Sequence, residues 1–156
     1  MSTVTTTLLT GSQAISNFDL SKIFVYNNRY QTETIVNDDY NPMTLYAGTV
    51  MGRIAGNTAG YNGKGVVFPS TASSTNGTQY PIGILASDCV IADGDTLNVP
   101  ICVAGDVVED KIIFWNAPTD TIKTVISGRE YYDRIQADSV GIKIVASTEN
   151  TYVDNQ

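Results

Sequence analysis

The run PIGILA, residues 81–86, limits what this chain can fold into more than any other stretch. It is continuous, apolar and short, which reads as a β-strand covered on both faces. Asp93-Gly94-Asp95 follows as a tight turn. The next segment alternates. Leu97, Val99, Ile101 and Val103 fall on one side, and Thr96, Asn98, Pro100, Cys102 and Ala104 on the other. Pro100 has no N–H for a ladder, so this strand is expected at an edge or with a bulge there. Gly105-Asp106 is expected to turn the chain into Val107-Val108 and on toward Ile112-Ile113-Phe114-Trp115.

The remaining chain follows the same β-forming habit. Residues 1–17 read as a flexible polar arm, in which Thr3, Thr5, Thr6, Thr7 and Thr10 surround Val4, Leu8 and Leu9. Its β propensity suits it to pairing with another sheet's edge. Residues 18–43 read as an added hairpin segment: Ile23–Tyr26 and Tyr30–Val36 are the strands and Asn27-Asn28 the turn. Thr44–Ile54 reads as one strand interrupted by glycine, and Val66–Pro69 as a short strand. Residues 55–65 are glycine-rich, and 70–79 (STASSTNGTQ) read as a polar loop with nothing to contribute to a core. Ser127 and Glu130 have capping-box spacing, and Tyr131, Tyr132 and Ile135 follow at helical spacing, so a short helix is expected near 128–138. A last strand, Ile142–Ala146, precedes a loose tail over 147–156. The fold class expected is mainly β: a small sandwich or barrel-like domain over 44–146 with one short helix.

Chemistry is hard to find. The chain of 156 residues contains no histidine, which removes the commonest general base and every Ser-His or Cys-His pair. Cys89 and Cys102 lack basic neighbours and lie in strand-like runs, so they read as buried free thiols. Two cysteines without histidine do not make a zinc site. The glycine-rich segment fails the phosphate-loop pattern, because Gly65 stands where Ser or Thr is needed after Lys64 and Thr58 where the first glycine is needed. Asp88, Asp93 and Asp95 lack the further oxygen donors of a calcium loop, and Asp38-Asp39 fares no better. Asn76-Gly77-Thr78 matches a glycosylation acceptor, read as chance without a secretion signal. Phe114 and Trp115 read as core residues, with a subunit contact as the alternative. No enzyme and no cofactor is expected.

Charge narrows the partners. A net charge of −7 repels phosphate backbones, so no nucleic-acid partner is expected. No apolar run approaches the roughly 20 residues a spanning helix needs, so no membrane partner is expected either. The first residues carry no basic or apolar signal region, and synthesis in the cytoplasm is the expectation.

Three segments together resemble a known family. LYAGTVMGRI (45–54), NGTQYPIGILASDCV (76–90) and ADGDTLNVPICVAGDVV (92–108) resemble, in their order, the lambda-type head decoration proteins of tailed bacteriophages. Gly83-Ile84-Leu85-Ala86 and Val103-Ala104-Gly105 carry the likeness, and Ile135–Val145 resembles the family's close. Residues 18–43 have no counterpart in the small lambda-type protein. The resemblance implies a β-rich domain with a short helix. It implies a structural protein made in the host cytoplasm that binds the outer surface of the expanded capsid. There it cements neighbouring major capsid proteins against DNA pressure, as a homotrimer at three-fold positions of the virion. An N-terminal arm orders on the shell in such proteins, and Thr3, Val4, Thr5, Thr6, Thr7, Leu8 and Leu9 match that arm by composition and position. The competing expectation is a carbohydrate-binding or adhesive β module on a phage head or tail fibre, with tyrosines and Asn/Thr loops lining a sugar site.

Overall fold

A computed structural model describes residues 23–37, 41–55, 65–138 and 141–145. These residues are mainly β, with a barrel-like sheet and one short helix, as the sequence predicts. Among the described residues ten strands form, in chain order: β1 (Phe24–Val36), β2 (Met43–Leu45), β3 (Val50–Arg53), β4 (Val67–Pro69), β5 (Pro81–Leu85), β6 (Cys89–Ile91), β7 (Thr96–Val108), β8 (Val125–Ile126), β9 (Arg129–Glu130) and β10 (Ile142–Val145). The helix α1 is Tyr131–Asp138.

Six strands make one sheet in the order β1-β4-β3-β5-β7-β10, and an additional β1–β7 pairing closes it. The ring is therefore β1, β4, β3, β5 and β7, with β10 alongside β7. Closure removes most free strand edges. The seam is long: β1 and β7 run antiparallel from Phe24↔Val107 to Val36↔Thr96. On its other side β7 meets β5 at Ile84↔Cys102 and Leu85↔Ile101, then β10 in parallel from Ile142↔Gly105 to Val145↔Val108. The chain thus enters the barrel at β1 and leaves β10 at the same end, on opposite sides of Val107-Val108.

The sheet is buried on both faces around β3, β5 and the middle of β7, whereas the outer face of the β1–β7 seam is exposed at Tyr30, Thr32, Asn98 and Pro100. Each ring strand sends a side chain inward: Ile35, Met51, Val67, Leu85, and Val99 with Ile101. Met43 and Leu45 of β2 and Ile91 of β6 join this cluster from a separate small sheet, plugging one end. On the outside, Val50, Ile84, Cys102 and Val107 pack with Ile135 of α1 and with Ile142 and Ile144 of β10. Adjacent residues of β5 and β7 serve opposite clusters, Leu85 and Ile101 inward, Ile84 and Cys102 outward. The continuous apolar run at 81–86 is the sequence trace of this double burial. At about 25 cal/mol per Å2 of apolar surface, each fully buried aliphatic here contributes roughly 2 kcal/mol.

Several local expectations need correction. Asn27-Asn28 does not turn a hairpin. Residues 24–36 are one 13-residue strand of the barrel seam, and the two asparagines form a bulge. Between Tyr26↔Asp106 and Arg29↔Ala104, β1 spends two residues against Gly105 alone. Asn27 sits at φ 53°, which asparagine tolerates. Asn28 anchors the bulge by donating from Nδ2 to the Asp106 carbonyl at 3.1 Å. Gly105-Asp106 likewise does not end a strand, because β7 runs through to Val108. Thr44–Ile54 is two strands in different sheets, divided by a turn in which Gly48 adopts φ 103°. Ser127 does not cap the helix. Ser127 and Gly128, at φ 49° and 81°, are the two central residues of a tight turn joining β8 to β9, and α1 begins only at Tyr131. Tyr131 and Ile135 are fully buried, whereas Tyr132 faces out.

Pro100 lies within a strand that is paired on both sides. Its carbonyl accepts from Ala86 N at 2.9 Å, on the side where β5 has just ended. A strand residue points its N and C=O to the same side, so the missing N–H falls beyond the β5 ladder and costs no bond. Asn37, fully buried at the end of β1, holds the Asp93-Gly94-Asp95 turn. It exchanges backbone bonds with Gly94 (2.7 Å) and Asp95 (3.0 Å) and donates from Nδ2 to the Ile91 carbonyl at 3.0 Å.

Candidate functional site

Loop 70–79 is more than a solvent loop, because Ser70 and Thr78 are buried. Gly52 on β3 lets it lie directly on the sheet: a Cβ there would stand 2.7 Å from Thr78 Cα. Asn76 then fixes its shape. The Asn76 carbonyl accepts from Ala55 N at 2.7 Å. Its Oδ1 accepts from Thr78 N at 3.2 Å and from Ser74 Oγ at 2.6 Å, and Thr78 Oγ1 donates to Ser74 Oγ at 2.7 Å. Side chains of Asn, Ser and Thr that bond their own backbone in this way set a loop without regular structure.

A second loop faces it. Trp115 donates from Nε1 to the Thr44 carbonyl at 2.9 Å and meets Phe68 of β4 edge-to-face, with centroids 6.2 Å apart. Asn116 at φ 53° turns the chain, and Asp120 N donates to the Ala117 carbonyl at 3.0 Å. Asp120 reaches across, its Oδ2 accepting from Ala72 N at 2.8 Å. The two loops, with Ile54, Phe68 and Pro69, line a cleft of about 630 Å3. That lies within the range of roughly 300–1,000 Å3 typical of small-molecule sites. Phe68, Trp115, Pro69 and Pro118 give it apolar surface; Ser, Thr and Asn side chains give it hydrogen-bonding groups; Asp120 is the one ionisable side chain among its lining residues.

Several titratable groups elsewhere are held in structural contacts. Tyr131 and Ser70 hydroxyls meet at 2.9 Å under α1. Burial, with a smaller contribution from Asp120, pushes the Tyr131 phenol up to about 12. Burial raises both thiols, Cys89 with help from the Asp88 charge, so neither is a ready thiolate. Both cysteines are free; Cys102 is buried and Cys89 half-buried. Asp88 accepts from Ala47 N at 2.8 Å. Among the described residues, no group of three or more His, Cys, Asp or Glu side chains is placed to hold a metal ion.

Phe114 and Trp115 are half-buried and flank the two clusters, Phe114 on the outer one and Trp115 on the inner one. The arm residues Thr3, Val4, Thr5, Thr6, Thr7, Leu8 and Leu9 lie outside the described residues, as does the 147–156 tail. The cleft was not legible in the sequence. Its only trace was the density of Ser, Thr and Asn over 70–79. Nothing local linked that stretch to Asn116–Asp120, and the Ala72–Asp120 bond that joins them spans 48 residues. No protein-family model matches the chain, and no curated protein matches it in sequence. The fold and surface define a small closed β-barrel carrying a loop-built cleft.

Proposed function

We propose that this chain is a head decoration protein of a tailed bacteriophage. It binds the outer surface of the expanded capsid and cements neighbouring major capsid proteins, as a homotrimer at three-fold positions. One observation carries the reading. Of the two runs that resemble the lambda-type family, Gly83–Leu85 lies in β5, with Ala86 just past its end, and Val103–Gly105 lies in β7, its neighbour in the closed sheet. These two runs therefore fall on the framework strands of the domain.

The physics of the barrel suits the role. A closed sheet whose central strands are packed on both faces offers a rigid surface with few open edges. A threonine-rich arm joined to such a body gains backbone pairing with a capsid element, and many copies on a lattice offset its ordering entropy. The acidic charge fits a protein on the outside of a shell whose DNA-facing lining is basic.

The test uses undecorated expanded capsids of the phage. Purified protein at about 1 μM is expected to add density to the shell in electron micrographs and to raise its disruption temperature. Removing residues 1–17 is expected to abolish this binding while leaving the barrel's own melting temperature unchanged. Capsids that stay bare with the full chain overturn the proposal.

A further inference from the structure

We infer that the cleft between loops 70–79 and 115–120 is a binding site for a neutral saccharide. The inference is independent of the capsid role, because the free protein carries the cleft as well.

The first argument is what the lining offers. Thr71, Ser73, Asn116 and Thr119 line the cleft, and their side chains make no hydrogen bond among the described residues. They stand beside the Phe68–Trp115 pair. Hydroxyls and a carboxamide next to an aromatic surface match the two faces of a sugar ring, one edge of hydroxyls and one face of C–H groups. Asp120 spends Oδ2 on Ala72 N and makes no other side-chain hydrogen bond among the described residues, so Oδ1 is left to accept from a ligand hydroxyl. Charge-assisted bonds of this kind are roughly twice as strong as neutral ones.

The second argument is what the lining refuses. Among the described residues, no Lys or Arg lines the cleft. An anionic ligand such as a phosphate or a sialylated glycan would face an unpaired carboxylate without a counter-charge. The ligand class is therefore uncharged and rich in hydroxyls.

The third argument is rigidity. Ser74, Asn76 and Thr78 bond one another and the backbone, and Ala72 N is tied to Asp120 across the cleft. Both walls are set before any ligand arrives. Weak polar contacts then accumulate without a large ordering cost.

Trp115 is the only tryptophan of the chain, so its fluorescence reports on this site alone. The full chain would be titrated with malto-, cello- and chito-oligosaccharides and with laminarin, after screening on an array of neutral, sialylated and sulfated glycans. At least one neutral glycan is expected to shift or quench the emission with a dissociation constant of about 1 mM or tighter. Sialyllactose and inorganic phosphate are expected to leave it unchanged. Ser73→Arg, at an exposed position, is expected to weaken the neutral ligand about tenfold with an unaltered melting curve, and Asp120→Asn, which keeps an oxygen for Ala72 N, to weaken it less. The inference is overturned if no neutral glycan binds at about 10 mM, if anionic glycans bind better, or if Ser73→Arg leaves binding intact. Bare capsids in the decoration experiment would leave this result untouched.

Discussion

Gly83 shows how closely the two core strands are fitted. A Cβ at this position would stand 2.5 Å from Ile101 Cγ2 and 2.6 Å from the Cys102 carbonyl oxygen. Neither neighbour is a flexible tip, so β5 or β7 must move. Gly83→Ala is expected to cost about 2 kcal/mol, read as a lower urea midpoint. Gly94→Ala meets open space and carries only the strain of φ 81°. The Tyr131–Ser70 pair makes a second residue-scale prediction. Tyr131→Phe leaves the buried Ser70 hydroxyl unpaired and is expected to cost about 1–2 kcal/mol. Adding Ser70→Ala should recover part of that, which a double-mutant cycle measures. The same phenol sets an alkaline limit. Below about pH 10 it is protonated in both folded and unfolded chains and adds no pH dependence. Between there and its folded value of about 12, only the unfolded chain sheds the proton, so stability falls as pH rises. Tyr131→Phe should flatten that part of the stability–pH curve.

Elements differ in how much of them the sequence discloses. β5 was legible because a strand buried on both faces has no polar positions to spare, and PIGIL has none. β7 was legible through its alternation as far as Ala104, and then Gly105 suggested a turn where the strand in fact continues. β1 was misread for a related reason. An Asn-Asn pair with its first residue at positive φ serves a bulge as well as a turn, and only the register against Gly105 distinguishes them. Ser127-x-x-Glu130 failed because a capping serine needs extended backbone, whereas Ser127 is left-handed in the β8–β9 turn. The cleft depends on contacts between distant loops, which no local pattern encodes. Asn37 is the joint between elements that deserves a test. It ties the end of β1 to β6 and to the turn before β7 through one buried side chain and two backbone bonds. Asn37→Ala keeps the backbone bonds but orphans the Ile91 carbonyl. A loss of about 2 kcal/mol is expected, with faster hydrogen exchange at Gly94 and Asp95 as the local signature.

At the scale of the whole molecule, β7 belongs to both hydrophobic clusters. The barrel interior and the α1–β10 layer cannot come apart without breaking the same strand. Unfolding in urea is therefore expected to be a single transition, with Trp115 fluorescence and far-ultraviolet circular dichroism giving the same midpoint. Separate midpoints would show that the helical layer opens first. The common end at which β1 begins and β10 finishes has another consequence. Phe24 and Ile144 both pair with Val107 from opposite sides, so the chain's points of entry and departure are about two strand spacings, roughly 10 Å, apart. A flexible linker of about eight residues spans roughly 15 Å, enough to pass around the end of β7. A circular permutant joined there and opened at the exposed Asp93-Gly94 turn is expected to fold with the parent's circular dichroism spectrum. By the same geometry, cargo proteins fused before β1 and after β10 would be carried side by side at one pole of the barrel, leaving the opposite pole free.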